Sequence, residues 1–184
     1  LADHSIHAWI IKNQIKNERG ELLDFRDHAY LFDIYNDFSP KLVCYKAAQI
    51  GFSTLAIIKE FFVADKYGMD AIYTLPTQGD VYDFVGGKVN RIIAANPKLQ
   101  ELVKDRDTME QKRVSNNVVY YRGTFTERAA LMVTSDWNIH DEEDRSEQQI
   151  IQQYRSRLQH SKYAWEHHFS NPSVEGNGVS RYWP

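Results

Sequence analysis

At 184 residues the chain has the length of one domain with a true core, since such a chain buries roughly 70% of its unfolded surface. Its 42% apolar and 26% charged residues are those of an ordinary globular sequence and exclude a fibrous or disordered one. A net charge of -3 excludes a uniformly electropositive nucleic-acid binder, the single cysteine Cys44 excludes an internal disulfide or four-cysteine zinc site, and no apolar run reaches the roughly 18 to 20 residues of a membrane span.

The lone cysteine suits a reducing cytosol, and the N-terminus lacks the charged-then-apolar pattern of a secretory signal. Beginning at Leu1 and stopping after Arg181-Tyr-Trp-Pro184 in an aromatic stretch, the chain reads as a piece of a longer protein. Basic residues gather at Lys98, Lys104, Arg106, Lys112 and Arg113, and again at Arg155, Arg157 and Lys162. Acids interleave both groups, which suits a solvated surface.

In chain order, Leu42 to Tyr45 reads as a short strand opened by Ser39-Pro40, and a loop follows from Lys46 to Phe52. From Ser53 the apolar positions Leu55, Ile58, Phe61 and Phe62 fall at helical spacing, with Gly68 as the stop. Ala71 to Leu75 is a second strand closed by Pro76. Val81 to Ala94 is a helix carrying an unfavourable Gly86-Gly87 pair. Gln111 to Asn117 reads as the longest loop. Val118 to Tyr121 and Trp137 to His140 read as buried strands, and Tyr163 to Phe169 as the last strand, broken by Ser170-Asn-Pro172. Between the last two, Ser146 can cap a helix with Ile150, Ile151, Tyr154 and Leu158 on one face. Strands alternating with helices predict an α/β fold, a mostly parallel sheet with helices on both faces. Ligands of such sheets lie at the carboxyl ends of the strands.

Phosphate-binding loops of the G-x-x-x-x-G-K-[ST] type aim backbone N–H groups at phosphates, meet them with a lysine and hold Mg²⁺ with a hydroxyl. Here the frame reads Lys46-Ala-Ala-Gln-Ile-Gly51-Phe52-Ser53, so a lysine replaces the first glycine and a phenylalanine replaces the usual lysine. The charge has moved to the other end of the loop, from which a four-carbon ammonium side chain can arc back over phosphates. Alone, the segment reads more readily as a helix-start turn in which Ser53 merely caps.

Nucleotide hydrolysis needs a second group on a neighbouring strand. Asp141, about 95 residues after the loop, is placed to share Mg²⁺ with Ser53, and Glu142 to polarise the attacking water. A solvated acidic turn that caps the next helix is the plain alternative, since Asp144 and Ser146 suit a helix start. A two-metal nuclease is disfavoured, because consecutive acids on a strand face opposite ways. Ser170 and Asn171 end the last strand, where a polar side chain can sense the terminal phosphate, although such a segment taken alone is more often just a turn. The pairs His4/His7 and His167/His168 read as surface or core histidines rather than metal ligands.

The ordered set of Phe25 to Leu31, Ile34-Tyr-Asn-Asp37, the Lys46 to Ser53 frame, Tyr73-x-Leu75-Pro76-Thr77, Asp136-Trp137 to Asp141-Glu142, and Ser170-Asn-Pro172 with Gly176 and Gly178 resembles the ATPase domain of phage large terminases. It is most similar to the lambda-like branch, in which the loop lysine is likewise displaced and an aromatic precedes the serine. The resemblance implies one P-loop NTPase domain of RecA/ASCE-like fold over residues 1–184, with 1–40 as its adenine-side segment and the family's C-terminal nuclease domain absent. It further implies that Lys46, Ala47, Ala48, Gln49, Ile50, Gly51, Phe52, Ser53 and Thr54 bind the phosphates of ATP, with Lys46 and Glu142 catalytic. Ser53 and Asp141 become the Mg²⁺ partners, and Ser170 and Asn171 the coupling motif. Tyr30 or Tyr35 stacks on the base or packs the core, Thr77 approaches DNA or caps a helix, and Arg122, Arg128, Arg145 and Arg155 are candidate arginine fingers. The implied protein is a motor that drives double-stranded DNA into a procapsid in the cytoplasm of an infected bacterium. It works there as a homo-oligomeric ring with a portal protein and a small terminase subunit. A helicase-like ATPase of the same fold, or a degenerate nucleotide- or DNA-binding module, are the competing expectations.

Overall fold

The structure, a computed structural model, describes residues 5–26, 28–126, 130 and 133–182. Its strands are β1 (Lys41–Tyr45), β2 (Ala71–Leu75), β3 (Val103–Asp107), β4 (Gln111–Val114), β5 (Asn117–Gly123), β6 (Trp137–Asp141) and β7 (Trp165–Ser170). Among the described residues they form one sheet in the order β1-β7-β6-β2-β5-β4-β3. The first five in that order run parallel, while β4 and β3 add an antiparallel edge. β7 therefore lies between β1 and β6, and the carboxyl ends of all three open on the same side of the sheet.

The helices are α1 (Ile6–Lys12), α2 (Tyr30–Asn36), α3 (Phe52–Lys66), α4 (Gln78–Phe84), α5 (Asn90–Ala95), α6 (Pro97–Leu102) and α7 (Gln148–Arg155). One face of the sheet is covered by α3, whose Leu55, Ile58, Phe61 and Phe62 join Tyr73, Trp137, Ile139 and Phe169 in the main core. On the opposite face Ile150 and Tyr154 of α7 pack on Ile72 and Val133. Helices on both faces of a mostly parallel sheet are as the alternating pattern predicts. β2 shows the alternation directly, with Tyr73 in the first core and Ile72 in the second.

Several elements differ from the sequence reading. Gln111 to Asn117, expected as a loop, is β4 and its turn. The helix predicted over Val81 to Ala94 begins at Gln78, and its Gly86-Gly87 pair lies in a π-helical turn (Val85–Val89) joining α4 to α5. Thr77 caps α4 in a reciprocal capping box with Asp80, so its hydroxyl is engaged as a cap. Ser146 does not cap α7; the N-cap residue is Glu147, without a side-chain bond.

The basic stretches are partly turned inward. Lys112 is buried, its ammonium donating to Asn90 Oδ1 (2.7 Å) and pairing with Asp107, and Arg155 Nε donates to Glu166 Oε1 at 3.0 Å. Of the two tyrosines proposed for a base, Tyr35 is buried in the main core while Tyr30 is exposed. Among the described residues no helix is long and apolar enough to cross a membrane.

Candidate functional site

The loop between β1 and α3 is shaped by two left-handed residues, Gln49 (φ 61°) and Gly51 (φ 84°). Glycine is favoured at Gly51 on two counts. The positive φ disfavours a side chain, and a Cβ there would stand 3.1 Å from Leu31 Cδ1 of α2. The loop is anchored at its start by the Lys46 N–H, which donates to the Ser170 carbonyl at 2.9 Å, and near its end by the Tyr30 hydroxyl, which donates to the Ile50 carbonyl at 2.9 Å. Ala47, Ala48 and Gln49 between them are exposed.

Phe52 is only 6% exposed and meets Phe169 of β7 edge to face, with ring centroids 5.5 Å apart. The residue in the usual lysine place is therefore a core residue, and the loop's cation comes from its other end. Lys46 Nζ lies 2.8 Å from Asp141 Oδ1 and donates to Glu142 Oε1 at 2.9 Å, although the side chain starts at the end of β1. Burial alone would lower the ammonium's pKa, but Asp141 and Glu142 outweigh it and hold the pKa above its ordinary value. Lys46 is a cation fixed by the two carboxylates.

Asp141, at the carboxyl end of β6, is surrounded by donors on both oxygens. Oδ2 accepts from the Ser53 hydroxyl (3.1 Å) and from the buried Tyr73 hydroxyl of β2 (2.5 Å). Oδ1 faces Lys46 and also accepts from the Glu142 N–H at 2.9 Å. Burial pushes the Tyr73 phenol's pKa well up, and the adjoining Asp141 charge pushes it further, so it stays a donor. Glu142 adopts the left-handed conformation (φ 53°), which turns the chain sharply after the strand and leaves its carboxylate partly exposed beside Lys46.

The sequence-predicted residues thus divide. Lys46, Ser53, Asp141 and Glu142 converge, and Ser170 joins them through its carbonyl. Thr54 is buried and points elsewhere, its hydroxyl donating to Glu18 Oε2 at 3.0 Å. Asn171 is exposed just beyond β7.

Among the arginines, Arg155 is paired with Glu166 and Arg122 donates to the carbonyls of Glu110 and Tyr121. Arg145 is exposed in the turn after Glu142, and Arg128 lies outside the described residues, as does His4. In the sequence Tyr73 belongs to the terminase resemblance without a role at Asp141. Its alternation along β2 with Ile72 and Thr74, which are buried on the other face, is the signal that places it on the α3 face.

Behind the site, on the α7 face of the sheet, lies a buried polar layer. His168 Nδ1 stands 2.6 Å from Glu143 Oε2, and His140 Nδ1 2.7 Å from Thr74 Oγ1. Burial disfavours charge on both rings, but Glu143 and Glu166 raise the His168 pKa, while His140 stays well below the ordinary value. His167, next to His168, faces the other side and bonds the Ser39 carbonyl at 2.9 Å.

No protein-family model matches the chain, and no curated protein sequence does. The crystal structure of the HK97 bacteriophage large terminase superposes on it with a TM-score of 0.75 over 95% of the chain, at 12% sequence identity. This chain shares the fold of part of that terminase. It spans 39% of the length of that terminase. The α/β fold with helices on both faces of a mostly parallel sheet, expected from the sequence, is the fold shared with that terminase.

Proposed function

We propose that the chain is the ATP-hydrolysing motor domain of a viral terminase large subunit, coupling hydrolysis to the movement of double-stranded DNA into a procapsid. The observation that carries this reading is the meeting of Lys46, Ser53, Asp141 and Glu142 at the carboxyl ends of β1 and β6, on a terminase-like fold. ATP is the substrate, and residues 46–51 with Ser53 form the phosphate-facing loop, with Lys46 in the displaced position of the lambda-like branch, while Phe52 and Thr54 turn away.

The donor set fits Mg²⁺. Ser53 and Asp141 present hard oxygen ligands side by side, and the spot between Asp141 and Glu142 is negative enough to hold an ammonium. Mg²⁺ held there would neutralise charge on the phosphate oxygens. Lys46, released from the carboxylates, turns its ammonium to the terminal phosphates. Glu142, partly exposed and off the end of β6, orients the attacking water and takes up its proton. Tyr73 keeps the Asp141 carboxylate aligned. Ser170 adjoins the loop through the Lys46 N–H and, with Asn171 next to it in sequence, serves as the coupling motif. The ring on the procapsid, the portal protein, the small terminase subunit and the cytoplasm of the infected bacterium belong to the same proposal.

The test is Mg²⁺-dependent ATP hydrolysis by the chain with and without double-stranded DNA. Turnover by the wild type and its loss in Glu142→Gln support the reading; equal turnover by both refutes it.

A further inference from the structure

The turn after β6 is tied to the chain after β7 by one residue, Asp144, through both its backbone and its side chain. Its N–H donates to Ser170 Oγ at 3.1 Å, and its carbonyl accepts from the Asn177 side-chain amide at 2.9 Å. Carboxylate Oδ2 accepts from the Ser173 N–H (2.7 Å) and hydroxyl (3.0 Å), and Oδ1 accepts from the Val179 N–H at 3.0 Å. Gly178 (φ +52°) comes so near that a Cβ on it would stand 2.2 Å from Asp144 Oδ1 and 2.6 Å from its Cα. Only glycine allows that approach. Asp144 does not cap α7, which starts at Gln148 behind Glu147.

The neighbouring acid reinforces the joint. Glu143 is fully buried, with His168 Nδ1 at 2.6 Å from Oε2 and the Tyr182 hydroxyl donating to Oε1 at 3.3 Å. The Tyr182 ring itself lies against His168, centroids 4.3 Å apart. Glu142 precedes these two anchored acids in a left-handed conformation, which a residue with a side chain keeps only where its surroundings fix it.

We propose that Asp144 is a positioning residue that makes the Glu142 turn and the 171–182 segment one mechanical unit, so that displacement at Ser170–Asn171 carries the Glu142 carboxylate with it. The inference rests on the assignment of Glu142 made above. Asp144→Asn is the informative change, because an amide offers one acceptor oxygen. Its NH2 group then faces either the Ser173 donors or the Val179 N–H, donor against donor.

The experiment combines steady-state ATP hydrolysis, titration of a fluorescent ATP analogue, and amide hydrogen exchange on the wild type and Asp144→Asn. Expected are a fall in kcat of about tenfold or more, KM and analogue affinity within about twofold, and faster exchange in 142–147 and 171–182 together. Should Asp144→Asn disturb folding, Ser173→Ala removes a single donor from an exposed side chain and gives a smaller fall in kcat with KM unchanged. The double variant is no slower than Asp144→Asn alone, because both act through one contact. Faster exchange confined to 171–182 with wild-type kcat overturns the inference, as do losses that simply add. An inactive Glu142→Gln beside a fully active Asp144→Asn removes only this inference, whereas an active Glu142→Gln removes the assignment beneath it.

Discussion

Replacing Phe52 by lysine restores the usual phosphate-loop frame on paper and is expected to damage the protein. Phe52 is 6% exposed and packs edge to face on Phe169. Losing a buried aromatic side chain costs about 2–3 kcal/mol in burial and about 1 kcal/mol in ring contact. An ammonium in the same place adds a desolvation cost, which it escapes only by bending out toward solvent. A total of about 3–5 kcal/mol corresponds to roughly 6–20 °C in melting temperature for a chain of this size. Thermal unfolding followed by circular dichroism measures it, with Phe52→Leu as a milder reference at about 1 kcal/mol. In the double variant Lys46→Ala/Phe52→Lys, ATP turnover is not recovered, because position 52 faces the core rather than the loop. A Phe52→Lys protein that melts with the wild type, or a double variant that hydrolyses ATP normally, would refute the assignment of the cation to Lys46.

Other consequences concern the residues behind the loop. Tyr73→Phe removes a donor from Asp141 while Ser53, Lys46 and the Glu142 N–H remain, so urea unfolding should show a loss of about 1–2 kcal/mol with no change of fold; an unchanged midpoint contradicts the bond. The adjacent histidines pull stability in opposite directions with pH. His167 is lowered to about 4 by burial, so its unfolded form binds a proton that the folded form refuses. Its contribution is therefore present above the ordinary value of 6.5 and lost as pH falls through about 4, some 3 kcal/mol in all. His168, raised by Glu143 and Glu166 against its burial, contributes below 6.5 and loses that contribution as pH rises through its folded value. Urea midpoints followed from acid to alkaline pH should flatten below 6.5 in His167→Gln and above 6.5 in His168→Gln. Identical pH profiles for both variants would contradict the opposite signs.

The elements that position the site are legible because their apolar residues follow one period without interruption. β1, β2, β6 and β7 are short apolar or β-rich runs, and α3 follows from its helical spacing and the Gly68 stop. The hairpin of β3 and β4 is not, since Lys112 and its charged neighbours look like a solvated loop until the buried Lys112 is seen pairing with Asp107. The short helices α1 and α2 span seven residues each, too few turns for a clear period, and α2 has no side-chain cap. Asp144 resembles a helix start in sequence, because its partners at Ser173, Asn177 and Val179 lie about thirty residues away. The Glu143–His168 pair was readable in part. Alternation along Glu166-His167-His168 sets His168 on the face away from α3, although nothing local says that Glu143 turns inward to meet it.

The central claim is that Lys46, Ser53, Asp141 and Glu142 form an ATP-hydrolysing site. It is tested most directly by steady-state ATP turnover of Glu142→Gln against the wild type with Mg²⁺ and double-stranded DNA present, beside the affinity of each for a fluorescent ATP analogue. The account predicts a loss in kcat of about a hundredfold or more with analogue affinity within about threefold, the signature of a group that acts in the transition state rather than in binding. Equal kcat in the two proteins would contradict it.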